Sequence, residues 1–153
     1  VQLKLIHPGS ASRGPLDEAA RDYLGRVGKR TRVHEVFVKA SRRDDGPAAL
    51  AEEAARISEA IGPRELVVAL DREGEPWTSE RLAVHLGGWL LAAPPAICFL
   101  LGSARGLDPG LRSSCRHRWS FGPLTLPHDL ARVVLWEQLY RAFAIREGAP
   151  YHK

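Results

Sequence analysis

Three short stretches of the chain combine glycine, apolar residues and a few polar groups in the way ligand-binding loops do. They are Leu70-Asp71, Gly102-Ser103-Ala104-Arg105-Gly106 and Leu124-Thr125-Leu126-Pro127-His128. A glycine at 102 lets backbone come close to a bound molecule. Backbone amides and carbonyls in such loops can read a purine edge or a ribose without charged side chains. Each stretch alone would pass for a turn. All three, however, follow expected strands, so they fall at successive strand ends, where open α/β sheets place their ligand crevice.

Other chemistries fail on spacing. Gly9 and Gly14 have the separation of a P-loop's outer glycines, but Pro15 stands where the lysine belongs. The 102–106 turn is not G-x-G-x-x-G and comes late in the chain, which argues against a nicotinamide or flavin site. Cys98 lies inside an apolar run, and Cys115 and His117 lack the paired spacing of metal ligands, so no metal site is expected. The G-x-S-x-G elbow of a serine hydrolase is missing as well.

The elements that must carry these loops alternate strand and helix. Strands are expected at Leu3–His7, Val33–Val38, Glu65–Leu70, Ala96–Leu101 and Arg118–Phe121. Helices are expected from Pro15 to about Gly28, from Pro47 until Gly62-Pro63 stops it, from a Thr78 or Ser79 cap to about Leu91, briefly over Leu107–Cys115, and from His128 to about Arg146. The unbroken apolar run at 96–101 reads as a strand buried on both faces. The whole reads as α/β: one domain over residues 1–153, with a mostly parallel sheet and helices on both faces. The last helix is apolar over more than one stripe, through Leu130, Val133, Val134, Leu135, Trp136, Leu139, Tyr140, Phe143 and Ile145. That breadth predicts a second buried face, most simply a subunit interface.

At 153 residues the chain is long enough to bury a core without staples. No apolar run reaches the roughly 18 residues of a membrane span. The opening residues run straight into a strand pattern, so no signal peptide is expected, and two cysteines give no disulfide framework. The expected location is the cytoplasm. The formal charge of +4 favours a polyanionic partner. Arginine supplies most of it and is the better phosphate fork, which makes Arg30, Arg32, Arg42 and Arg43 candidates for contact with an RNA backbone.

The segment from Leu124 to His128, followed by Arg132-Val133-Val134-Leu135-Trp136-Glu137-Gln138-Leu139-Tyr140-Arg141-Ala142-Phe143 and closed by Tyr151-His152-Lys153, closely resembles the small SPOUT methyltransferases. More narrowly it is similar to the large-subunit ribosomal RNA methyltransferase H family. Leu70-Asp71 with Gly74 and Pro76-Trp77, the Leu101-Gly102 turn and the opening Leu3–Ile6 strand agree in order and spacing, so the resemblance covers essentially the full chain.

The resemblance implies a SPOUT fold with a C-terminal trefoil knot, a homodimer, and S-adenosylmethionine as methyl donor. The implied reaction is methylation of N3 of a pseudouridine in 23S ribosomal RNA, on the assembled ribosome. By position, the cofactor contacts would be Leu70, Gly102, Phe121, Gly122, Pro123, Leu124, Thr125 and Leu126. His152 and Tyr151 of the tail would reach the partner's active site. There His152, an imidazole, would assist proton removal, Tyr151 would orient the base, and Arg132 would stabilise a developing oxyanion or bind phosphate. Two positions depart from the family pattern: Ser103 replaces the second glycine of the turn, and Arg105 stands where an acidic residue is common. Were the backbone at 103 to need a positive φ, serine would strain the loop; Arg105 would add a phosphate contact near the site. The alternatives these departures leave are a non-enzymatic ribosome- or RNA-binding protein of the same fold, or a SPOUT enzyme with another RNA target.

Overall fold

The computed structural model describes residues 1–153. In chain order the elements are β1 (Gln2–Pro8), α1 (Pro15–Gly28), β2 (Arg32–Val38), α2 (Gly46–Ala60), β3 (Leu66–Glu75), α3 (Ser79–Ala92), β4 (Ala96–Leu100), α4 (Pro109–Ser114), β5 (His117–Trp119) and α5 (His128–Glu147). Local chemistry explains many of the boundaries. Proline in the first turn opens α1, α2 and α4, where its missing N–H costs nothing. The Thr78 hydroxyl caps α3 by accepting from the Arg81 amide at 3.1 Å. Gly148 ends α5 in the left-handed conformation.

The apolar run of β4 is buried at every position, which is possible only at the centre of a sheet covered on both sides. All pairings are parallel and the strand order is β2-β1-β4-β3-β5. Leu3, Leu5, Val68, Ile97 and Phe99 face α1, α3 and α5 through Ala20, Val27, Leu82, Leu86, Leu135, Trp136 and Leu139. The opposite face sends Ile6, Ala69, Cys98 and Leu100 against Ile57 of α2 and against Leu107 and Leu111. The architecture is thus three layers, α/β/α. No helix is long and apolar enough to cross a membrane.

Two expectations change. β3 does not stop at Leu70: it runs to Glu75, with an irregularity in which Leu70 and Glu75 both pair with Trp119. The charged residues Asp71-Arg72-Glu73 loop out between them, a bulge that re-aims side chains. Gly74 makes this possible, since a Cβ there would lie 2.6 Å from the Arg118 carbonyl carbon. The second change concerns α5, which packs against both α1 and α3. Its broad apolar surface is therefore covered largely within the chain, and that breadth alone does not require a second subunit.

α5 is also tied polarly. Arg132 is buried and donates to Glu35 of β2 through Nε and Nη2, both at 2.7 Å, and to Asp17 of α1 through Nη1 at 2.6 Å. The Trp136 indole donates to the same Glu35 at 2.8 Å. The hydrogen bond from Arg132 holds the Asp17 carboxyl below its ordinary value. A carboxyl lowered on folding contributes stability above the ordinary carboxylate range, near pH 4, and loses it as pH falls through the lowered value. Arg132→Met strands the buried Asp17 carboxylate and the largely covered Glu35, and is expected to cost about 3 kcal/mol. Thermal melts at descending pH should show wild type losing stability below about pH 4, with a shallower acid-dependent loss in the variant. Equal acid slopes would show that the pair contributes nothing.

Candidate functional site

The carboxyl ends of β3, β4 and β5 and the first turn of α5 enclose a cavity of about 720 Å³, within the usual range for a small-molecule site. Leu70 and Gly102 line it, as do Phe121, Gly122, Leu124, Thr125 and Leu126; Pro123 belongs to the same loop but is not in the lining. The structure thus gathers all but one of the expected cofactor positions around one space.

Glycine at 102 is required by contact. A Cβ there would sit 2.3 Å from the Gly106 carbonyl carbon and 2.8 Å from the Leu107 nitrogen. The turn folds back because the Gly106 amide donates to the Ser103 carbonyl at 2.8 Å, with Gly106 itself at φ +85°. Ser103 is not among the residues with positive φ. The strain considered for serine at this position therefore does not arise, because the left-handed residue of the turn is Gly106.

The two loops on the other side of the cavity are stitched together. Ser120 Oγ donates to the Arg72 carbonyl at 2.9 Å and accepts from the Gly122 amide at 3.0 Å. Arg72 Nη1 in turn donates to Thr125 Oγ1 at 3.0 Å. The side chain of Asp71, at the cavity wall, is buried. Its Oδ1 accepts from the Glu73 amide at 3.1 Å, but its Oδ2 has no hydrogen-bond partner, and Arg112 and Arg118 stand off at 3.6 and 3.7 Å. A buried carboxylate oxygen without a donor is costly, so the wall presents an unfilled acceptor.

Arg72, Arg112, Trp119 and Ala131 also line the cavity and were not singled out from sequence. The bulge explains the omission for Arg72: a run of Asp-Arg-Glu-Gly after an apolar strand reads as a strand end, not as a cavity wall. No group of three or more His, Cys, Asp or Glu side chains is placed to hold a metal ion.

The three expected catalytic residues lie elsewhere on this chain. Arg132 is outside the lining, its guanidinium engaged by Asp17 and Glu35. Tyr151 packs edge-on against Tyr140 and bonds Glu137 at 3.0 Å and the Tyr23 hydroxyl at 3.2 Å. Burial, then the hydrogen bonds to Tyr23 and Glu137, push its phenol above the ordinary value. His152 uses both ring nitrogens. Arginine is donor-only, so Nδ1 accepts from Arg141 at 3.2 Å, which leaves Nε2 to donate to Glu80 at 2.8 Å. The tail therefore folds back along the middle of α5. Glu137 is about 14 Å along the helix from His128 at the cavity.

Of the arginines proposed for nucleic acid, Arg30 is spent on Glu147 at 2.8 Å and Arg43 on Glu52 at 2.7 Å. Arg32 and Arg42 form no ion pair and are exposed.

The family model described as "Predicted SPOUT methyltransferase" matches residues 1–152. The chain is 43% identical over 98% of its length to a protein of Nitratidesulfovibrio vulgaris, of which 97% is covered, named "Ribosomal RNA large subunit methyltransferase H". Proteins of the same name from Alkalilimnicola ehrlichii and Streptococcus thermophilus are 39% and 35% identical over the full chain, with 99% and 100% of those proteins covered. Among solved structures, a "probable methylase family protein" from Haemophilus influenzae superposes over 99% of this chain and 70% of that one, with TM-score 0.61 at 16% identity. A "Probable Methyltransferase" from Bordetella pertussis does so over 92% and 95%, with TM-score 0.60 at 20% identity. At these identities the two structures support the fold.

The geometry of the turn separates its two small residues. Gly102→Ala must displace the Gly106–Leu107 backbone and is expected to lower stability by about 1–3 kcal/mol. Ser103→Gly relieves no strain and is expected to leave stability unchanged or slightly reduced. Denaturant melts of the two variants test this; a clear gain for Ser103→Gly would show that serine is strained.

Proposed function

We propose, from the premise that this chain belongs to the SPOUT methyltransferase family, that it transfers a methyl group from S-adenosylmethionine to large-subunit ribosomal RNA. We propose further that the acceptor is N3 of a pseudouridine in 23S RNA, methylated on the assembled ribosome in the cytoplasm. The observation that carries this reading is the near-full-length similarity, up to 43% identity, to proteins named for ribosomal RNA large-subunit methylation.

The residues present fit such a donor. The cavity has the volume for a nucleoside-sized molecule. Gly102 keeps its wall free of a side chain, and the unpartnered Asp71 oxygen can accept from a ligand hydroxyl or amine. Leu70, Gly102 and the loop Phe121–Leu126 would hold the donor largely through backbone. S-adenosylmethionine, when bound, supplies an electrophilic methyl group on a sulfonium. The protein's work is then to align the acceptor and to remove its proton, because an imide N3 is protonated at neutral pH.

Tyr151 and His152 are the residues proposed for that work, and they imply a homodimer. They lie too far along α5 to serve the cavity of their own chain, so they would serve a second copy's. The phenol of Tyr151, pushed above its ordinary value, stays protonated and acts as a donor or stacking group. His152 would take the N3 proton at Nδ1, once the substrate replaces Arg141 there. Arg132 supports α5 beneath the site; no contact with RNA is assigned to it. The non-enzymatic alternative drew support from Ser103, and the relaxed backbone at that residue removes that ground.

Calorimetric titration of S-adenosylmethionine is expected to give saturable binding. Reverse-transcription mapping of treated ribosomes should then place one new methyl on a 23S pseudouridine. Absence of binding under several conditions would sink the enzyme reading, and a methyl on another nucleotide would overturn the acceptor. Deleting Tyr151–Lys153, or His152→Ala, should lower kcat about a hundredfold while donor affinity is kept. Wild-type turnover after the deletion would remove the tail from the mechanism.

A further inference from the structure

Most arginines near the cavity are neutralised. Arg112 and Arg118 face Asp71, and Arg43 is paired with Glu52. Two that line the cavity are not. The side chain of Arg72 makes one hydrogen bond, to the Thr125 hydroxyl at 3.0 Å, and that of Arg105 makes one, to the Arg43 carbonyl at 3.1 Å. Both residues are exposed. Each guanidinium carries five N–H donors, so each keeps most of its donors and its full charge directed at solvent.

They stand on two separate segments of the cavity's lining. Arg72 stands on the bulge that loops out of β3, and Arg105 on the tight turn after β4, its neighbour in the sheet. Both segments are anchored: the first by Ser120 Oγ on the Arg72 carbonyl, the second by the Gly106-to-Ser103 hydrogen bond. The bond from Arg105 to the Arg43 carbonyl also ties the loop before α2 to the same rim, and with it Arg42, which has no acidic partner. Anchored cations without counter-charges, set on two segments that line one opening, suit an extended polyanion that passes over it. Arginine pairs with phosphate through two parallel N–H bonds.

We propose that Arg72 and Arg105 form a phosphate clamp at the rim that grips the RNA backbone beside the nucleotide presented to the cavity. The proposal rests on the reading that the acceptor is RNA. Arg105 departs from the family pattern in the sequence, whereas Arg72 reaches the cavity only through the bulge in β3. Phosphate contacts position a strand without reading its sequence. The clamp therefore sets register over the cavity and leaves base selection to the site beneath.

The test uses full-length protein with Arg105→Glu and Arg72→Gln, the glutamine keeping a donor for Thr125. Binding of a fluorescein-labelled RNA hairpin is followed by anisotropy across a salt series, donor affinity by calorimetry, and steady-state kinetics on ribosomes. Each substitution is expected to reduce the slope of log affinity against log salt by roughly 0.7–0.9. The pair together should raise KM for ribosomes roughly tenfold, with S-adenosylmethionine affinity kept within about twofold. An unchanged RNA slope with weakened donor binding would overturn the clamp and assign the arginines to the donor's carboxylate. Unchanged values throughout would reduce them to solvated surface charge. A wild-type protein that shows the salt slope and its loss in the variants, yet transfers no methyl group, would sink the proposed activity and leave the clamp standing.

Discussion

Arg132 sits between two carboxylates in the interior, and the placement of α5 hangs on that junction. Its guanidinium meets Asp17 of α1 and Glu35 of β2, while Trp136, one helical turn on, bonds the same Glu35. Apolar packing of α5 on the sheet is non-directional and would tolerate some sliding. A guanidinium fork with fixed geometry does not. Burying three charges costs desolvation that their attraction only roughly offsets, so the junction's physical value lies in register more than in net stability. Because the first turn of α5 closes the cavity, register here is also site geometry.

The cavity follows from close backbone approaches. Gly102 lies against Gly106 and Leu107, and Gly74 lies against Arg118, at separations no Cβ could share. The first packs the turn after β4 tightly. The second lets β3 bulge and still return to pair with Trp119. Between them the strand ends open a space whose walls are largely main chain and apolar side chains, with one carboxylate oxygen of Asp71 buried and left without a donor. A site of this kind recognises shape and hydrogen-bonding edges.

Tail and cavity are separated on one chain. The tail is held by Tyr23, Glu80, Glu137 and Arg141, so it is ordered by contacts with three helices. That order is compatible with presentation of Tyr151 and His152 to a second molecule, the arrangement on which the proposed proton transfer depends.

Much of this was legible in the residues. The periodicity of the apolar runs determined five strands and five helices in their order, because burial on a sheet or a helix face imposes its own spacing. The unbroken apolar run at 96–101 determined which strand is central. The glycine turn and the Leu124–His128 segment marked where the cavity lies, since strand ends are a property of chain order. What chain order could not supply was anything that depends on two distant segments meeting. The continuation of β3 past Leu70 exists because Gly74 meets Arg118, 44 positions later. Arg132 read as a candidate for catalysis until Asp17 and Glu35, each about a hundred positions away, were seen to claim it. The breadth of α5 read as a second buried face, and α1 and α3 cover much of it within the chain. Local spacing determines elements through backbone geometry and burial. Which charges are neutralised, which face is covered and which arginines remain free are decided by contacts that form only when the chain is folded.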